Sequence, residues 1–204
     1  MPANPIIHVI DDDAAVRQSL AFLLSTAGHA VRVHASAVAF LKVLPEIQGG
    51  CVVTDIRMPE MDGLELQRRL LELKAGLPVI VMTGHGDVPL AVEAMKAGAI
   101  DFIEKPFDDD VLLSAIRSAL SRHAMDSERQ ARLSMVRDRV KALSEREREV
   151  LERLVTGKPN KVIAYELGIS ARTVEVYRAN VMTKMQADSL SELVRMALLQ
   201  GGSA

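Results

Sequence analysis

Cys51-Val52-Val53-Thr54-Asp55-Ile56-Arg57-Met58-Pro59-Glu60-Met61-Asp62-Gly63 runs from a short apolar stretch into a polar turn. A brief, continuous apolar run reads as a strand buried on both faces, and Gly63 opens a helical pattern that reaches Leu73. Strand, turn and helix in that order make one βα unit, and the unit recurs on either side. Strand patterns lie over Ile6–Ile10, Ala30–His34, Cys51–Thr54, Val79–Thr83 and Asp101–Glu104. Helical patterns lie over Val16–Leu24, Ala37–Leu44, Gly63–Leu73 and Val88–Ala97, with Gly28 and Gly98 placed to end two of them. A further helix starts at Asp109 and is expected to reach about Leu133, becoming polar after Leu120. Five βα units imply an α/β fold, a parallel sheet covered by helices on both faces.

Ligands of such sheets sit at the carboxyl ends of the strands, at the switch point of strand order. Asp11, Asp12, Asp55, Thr83 and Lys105 all fall at strand carboxyl ends. Any one of them could be a cap or turn former; all five together read as a site. A carboxylate can attack phosphorus to form an acyl phosphate, but two anions must then approach each other. Mg²⁺ supplies the missing positive charge and favours oxygen ligands, with one or two carboxylates plus phosphate oxygens. Asp12 and Asp55 suit that role, with Asp11 acting through water and the backbone carbonyl of Arg57 completing the set. Lys105 is a mobile point charge for one phosphoryl oxygen, and the Thr83 hydroxyl can donate to another. A phosphoserine-phosphatase-like enzyme is the alternative; it wants a nucleophile on the first strand and a second Asp two residues later, a spacing that Asp11 and Asp13 satisfy. That reading gives the Asp55 loop no role.

The bulk properties divide the chain. Residues 1–125 carry 11 Lys+Arg against 16 Asp+Glu, whereas residues 126–204 carry 14 against 11. An acidic half joined to a basic half suggests two domains, the basic one suited to an anionic partner. Aromatics are only 3% and Trp is absent, so both cores must be aliphatic. The lone Cys51 has no partner and sits in an apolar run, which fits a buried, inert thiol and a reducing compartment. No stretch reaches the ~18 apolar residues of a membrane span, and no signal peptide is visible, so the expected location is cytoplasmic and off the membrane.

Ser121–Arg132 is charged and free of Gly and Pro; a helical linker and a solvated tether both fit it. Beyond it the pattern is helical throughout. Ser144-Glu145-Arg146-Glu147 is a capping box opening a helix to about Val155. Asn160 is expected to cap Lys161–Leu167, Ser170 a helix to about Met185, and Ser189 a last helix to about Gln200. Ala164, Gly168 and Val174 meet the needs of a helix-turn-helix: close approach, a left-handed turn and repacking of the second helix on the first. Ile163, Leu167, Ile169, Val174, Tyr177 and Val181 form the inner face. Arg172, Thr173, Glu175, Val176, Ala179 and Asn180 are left outward. Such a helix fits the major groove, where Glu175 can accept from cytosine and Val176 can touch a thymine methyl. Arg172, Arg178 and Lys184 suit phosphates, and Lys161 and Lys158 flank the first helix. A four-helix bundle that binds protein, or nothing, is the alternative.

The first half resembles the receiver domain of two-component response regulators. The resemblance is carried by Asp11-Asp12, Asp55 with Met58-Pro59 and Asp62-Gly63, Thr83-Gly84 and Lys105-Pro106, and covers roughly residues 5–125. It implies a flavodoxin-like five-stranded sheet of order 2-1-3-4-5, phosphorylation of Asp55 by a sensor histidine kinase, and a cis Lys105–Pro106 bond. It also implies a switch in which Thr83 and Phe102 move together; an ordinary core aromatic is the other reading of Phe102. Arg57 and His85 stand where receivers gate the attacking water, although His85 equally fits a plain loop residue. The face between Val88 and Lys105 commonly dimerises in this family, with Val92, Met95, Ala99 or Ile100 as apolar candidates.

Residues 144–200 resemble the LuxR/FixJ-type helix-turn-helix, a small all-α domain of four helices. Leu143-Ser144-Glu145-Arg146-Glu147, Asn160-Lys161-Val162-Ile163-Ala164 and Ile169-Ser170-Ala171-Arg172-Thr173-Val174-Glu175 carry it; Tyr177 stands where many members have His. With Thr83-Gly84-His85-Gly86-Asp87-Val88-Pro89, the whole chain is similar to FixJ-type response regulators, a nitrogen-fixation group paired with an oxygen-sensing kinase. The expected organisation is a receiver over 1–122, a helical linker over 123–138 and a DNA-binding domain over 139–204. The resemblance implies a transcription factor rather than an enzyme. Its implied partners are a FixL-like histidine kinase, promoter DNA, RNA polymerase and, once phosphorylated, a second copy. Its implied outcome is activation of nitrogen-fixation or low-oxygen genes.

Overall fold

The computed structural model describes residues 5–84 and 88–201, with the side chains of Val88 and Gln200 left out. The chain divides into two compact units between Met125 and Asp126. In the first, β1 (Ile6–Ile10), β2 (Ala30–His34), β3 (Gly50–Asp55), β4 (Val79–Thr83) and β5 (Asp101–Glu104) form one parallel sheet of order β2-β1-β3-β4-β5. Between them run α1 (Ala14–Thr26), α2 (Ala37–Val43) with a 3-10 turn at Leu44–Glu46, α3 (Gly63–Glu72) and α4 (Val88–Lys96), and α5 (Asp109–Lys141) follows. The switch point falls between β1 and β3, as the sheet order demands.

Strand alternation sorts the core into two layers. Ile7, Val9, Cys51, Val53, Ile80 and Met82 pack against α1 and α5, through Leu20, Leu24, Leu112 and Ile116. Ile10, Val52, Val79 and Val81 face α2, α3 and α4, through Phe40, Leu66, Leu70 and Ala94. The central strands are therefore apolar on both faces, which is why they read as continuous runs. Cys51 is fully buried, and burial pushes its thiol up to about 12, so the inert reading stands.

A polar pair interrupts the second layer. His8 on β1 and His34 on β2 are 1% and 8% exposed, bonded to each other (Nδ1 to Nε2, 3.1 Å) and packed against Phe40. Burial holds His8 down at about 4, aided by the charges of His34 and Arg32, and burial with Arg32 likewise lowers His34. His8 Nε2 has no partner among the described residues. An unprotonated Nε2, with Nδ1–H donating to His34, leaves only a lone pair unmet and is the cheaper tautomer. Both rings thus fold neutral. The unfolded chain takes up their protons near 6.5, so stability is fully present above that pH and falls as pH drops toward about 4. Each proton contributes a slope of up to about 1.4 kcal/mol per pH unit. Urea melts of the first unit should show a lower midpoint at pH 5 than at pH 7; equal midpoints would contradict the neutral pair.

The second unit is helical. α6 (Glu145–Val155), α7 (Asn160–Leu167), α8 (Ala171–Met185) and α9 (Leu190–Gly201) close on Val150, Leu154, Ile163, Val174, Val181, Met185 and Leu193. The capping box forms as read, with Ser144 and Glu147 exchanging hydrogen bonds. Gly168 adopts φ 64° and ψ 34°, the left-handed turn between α7 and α8. Two expectations change. Pro159, not Asn160, is the N-cap of α7: its extended backbone leads in and its carbonyl accepts from Val162 and Ile163, so Asn160 is already helical. Helix α5 runs to Lys141 rather than about Leu133, because Val136 and Val140, one turn apart, bury against the second core. The stretch 123–138 is therefore helical throughout.

Candidate functional site

Register brings the acidic groups together. Ile10 pairs with Thr54, so Asp11 and Asp55 leave adjacent strands side by side at the switch point. Lys105, just past β5, reaches back over both. Its Nζ donates to Asp55 Oδ1 at 2.6 Å and to Asp11 Oδ2 at 3.0 Å. Burial alone would lower the Lys105 pKa, but the hydrogen bonds and charges of Asp55 and Asp11 more than offset it, and the net shift is upward. The ammonium is thus fixed in its charged form. The backbone N–H of Arg57 donates to Asp55 Oδ2 at 2.7 Å, so both carboxylate oxygens are oriented. The Lys105–Pro106 bond is cis, as the resemblance implied.

The first loop is built as tightly. Asp11 is 2% exposed; its Oδ1 accepts from the Asp13 amide, and its carbonyl accepts from Arg17 Nη1 at 2.7 Å. Asp13 caps α1, accepting from the amides of Ala15 and Val16. That removes the carboxylate on which the phosphatase alternative depended. Its position one residue before the helix was the signal for a cap. The Arg17 contact had no sequence signal. Asp12 is exposed and lines a cleft with Arg57, Met58, Pro59 and Asp62.

Among the described residues, no three His, Cys, Asp or Glu side chains gather closely enough to hold a metal unaided. Asp11 and Asp55 meet at Lys105, and Asp12 lines a cleft with Arg57; all three are hard-oxygen donors. That set fits Mg²⁺, which takes one or two carboxylates and keeps several waters.

Thr83, at the end of β4, is 2% exposed, and its hydroxyl donates to the Gly84 carbonyl at 3.1 Å. Phe102 on β5 stands 42% exposed and so is not a core aromatic. Val92 and Met95 on α4 are exposed on the expected apolar face, whereas Ala99 is buried and Ile100 packs into the core. His85, together with Gly86 and Asp87, lies outside the described residues.

In the second unit, α8 turns Val174 and Val181 inward and half-buries Tyr177. Arg172, Glu175, Val176, Ala179 and Asn180 are exposed, Arg178 is half-buried, and Lys161 is exposed on α7. Two expected contacts are already engaged. The Thr173 hydroxyl bonds Ser170 Oγ at 2.8 Å within the α8 cap. Lys184 Nζ is tied at 2.6 Å to Glu147, whose carboxyl it holds below the usual range together with the Ser144 amide. A cation paired to a buried carboxylate is a poorer phosphate contact than a solvated one. Lys158 is likewise paired with Glu166.

Residues 7–117 match the response regulator receiver domain family, and residues 141–197 match the luxR family of bacterial regulatory proteins. The chain is 61% identical to the transcriptional regulatory protein FixJ of Azorhizobium caulinodans, spanning 98% of this chain and 95% of that one. It is 57% identical to FixJ of Rhizobium meliloti across 96% of each chain. Full-length FixJ from B. japonicum is similar in structure, with a TM-score of 0.63 and 55% identity over 98% of both chains. The response regulator StyR superposes with a TM-score of 0.86 at 41% identity, covering 96% of this chain and 99% of that one.

Proposed function

Since the chain belongs to the two-component response regulators that join a receiver to a luxR-type DNA-binding domain, and is a homologue of FixJ, we propose that phosphorylation of Asp55 drives it to dimerise and bind promoter DNA. A histidine kinase and DNA are the partners of such a regulator, which is not an enzyme. No helix among the described residues is long and apolar enough to cross a membrane. The receiver is assigned to 1–122, the helical linker to 123–138 and the DNA-binding domain to 139–204.

The observation that carries this reading is the Asp11–Lys105–Asp55 constellation. An Asp55 oxygen attacks the phosphorus of the kinase phosphohistidine, the P–N bond breaks, and the imidazole leaves. Asp11, Asp12, Asp55 and the Arg57 carbonyl would hold Mg²⁺, which would supply positive charge for the approaching anions. Lys105 exchanges its bond to Asp55 for one to a phosphoryl oxygen. The Thr83 hydroxyl turns from the Gly84 carbonyl toward another. Phe102, exposed on the adjacent strand, moves into the space that Thr83 leaves. The neighbouring face, with Val92 and Met95, then pairs with a second copy. On DNA, Arg172, Thr173, Glu175, Val176, Arg178, Ala179 and Asn180 of α8 meet the duplex, with Lys161 and Lys184 at its edges. The identity to FixJ proteins supports a FixL-like kinase, contact with RNA polymerase and activation of nitrogen-fixation or low-oxygen genes.

Sedimentation with Mg²⁺, before and after adding beryllofluoride as a phosphoryl mimic, tests the switch. The 22.2 kDa chain should shift from monomer to dimer. An unchanged mass would reject dimerisation of the free chain and point to release of a masked DNA-binding domain, or to dimerisation only on DNA.

A further inference from the structure

The guanidinium of Arg139, on the last turn of α5, closes the carboxyl end of α8. Its Nη1 donates to the Met185 carbonyl at 3.0 Å, and its Nη2 donates to Gln186 Oε1 and lies 3.3 Å from Met135 Sδ. The last carbonyls of a helix lack partners within it, and that end carries partial negative charge, so a cation there is doubly favoured. Gln186 itself is left-handed, φ 50° and ψ 47°, a conformation in which helices usually place Gly. Arg139 therefore holds both the final α8 carbonyl and the side chain of its non-glycine cap. Val136, one turn earlier, is 3% exposed in the same core, so α5 is anchored where Arg139 leaves it. On the far side, Lys184 ties the last turn of α8 to Glu147 of α6.

We infer that Arg139 is a positioning residue for DNA recognition: it fixes the angle of α8 from its carboxyl end and so sets which bases the outward side chains reach. This rests on the reading of α8 as the DNA-reading helix. Both terminal nitrogens of Arg139 are engaged within the protein, so it acts through α8 and not as a phosphate contact.

The test uses the full chain with Mg²⁺ and beryllofluoride. Its probes are a duplex enriched from a random library by the wild-type chain and a mixed-sequence duplex. Arg139→Met should weaken binding to the enriched duplex about tenfold, the equivalent of one base contact, and leave mixed-sequence binding unchanged. The slope of log affinity on log salt should not change, because no phosphate contact is lost. Adding Gln186→Gly, which takes the left-handed conformation without strain, should return thermal stability without returning discrimination. Discrimination recovered together with stability would overturn the inference and leave Arg139 a stabilising residue only. A salt slope reduced by about one would overturn it in favour of direct phosphate contact. If the wild-type chain enriches no duplex, the reading of α8 itself fails, and the inference with it.

Discussion

Asp55→Asn should abolish phosphoryl incorporation from acetyl phosphate and Mg²⁺, a loss of about 100-fold or more, since a neutral amide is a poor nucleophile. The fold should survive. The carboxamide is nearly isosteric with the carboxylate it replaces, its oxygen can still accept from the Arg57 N–H, and Lys105 turns away from the amide nitrogen and keeps Asp11. The substitution also removes one of two carboxylates that share a single ammonium, so repulsion with Asp11 falls. Thermal stability should hold or rise slightly. Intact-mass measurement after donor treatment reads the modification directly, and sedimentation with beryllofluoride reads its consequence. A mutant that still gains one phosphoryl group would move the acceptor elsewhere, Asp12 and Asp62 being exposed carboxylates that line one cleft with Arg57.

The site was legible because parallel topology gathers distant residues by rule. Asp11 and Lys105 lie 94 positions apart, and Asp55 and Lys105 lie 50 apart, yet each follows or ends an apolar strand. Once the strands are parallel, their carboxyl ends must converge. Contacts made by long side chains across packed elements were not legible. Arg17 on the Asp11 carbonyl, Lys184 on Glu147 and Arg139 on the end of α8 depend on how helices are rotated and seated. The His8–His34 pair is a cross-strand neighbour relation, invisible until register is known. The end of α5 was placed short, at about Leu133: its surface is polar beyond Leu120, so local pattern gave no end point, and burial of Val136 and Val140 carries the helix to Lys141.

Gly63 shows how the decisive stretch encodes its own geometry. A Cβ at this position would stand 2.3 Å from the Asp55 carbonyl oxygen and 3.2 Å from both the Asp55 carbonyl carbon and Ile56 Cα. All three are backbone atoms, so no rotamer change relieves the clash. Meanwhile the Gly63 amide donates to the Ile56 carbonyl at 2.9 Å, which holds the start of α3 against the end of β3. Only a residue without a side chain permits that approach. Gly63→Ala should therefore destabilise the first unit by about 3 kcal/mol or more, roughly a 10 °C fall in its melting transition. Opening the loop also displaces the Arg57 amide from Asp55 Oδ2, so the folded fraction should lose phosphoryl incorporation well beyond its loss of stability. Gly76→Ala provides the control. Gly76 has φ +64° but no atom of the described residues within 4 Å of its Cβ position, so it should show only the left-handed penalty of about 1–2 kcal/mol and keep its chemistry. Gly63 has no positive φ, so equal effects at the two glycines would mean that its close approach costs no more than the left-handed penalty at Gly76. A Gly63→Ala chain with unaltered melting and phosphorylation would show that the β3–α3 loop accommodates a methyl group, and that Asp55 is held by something other than this contact.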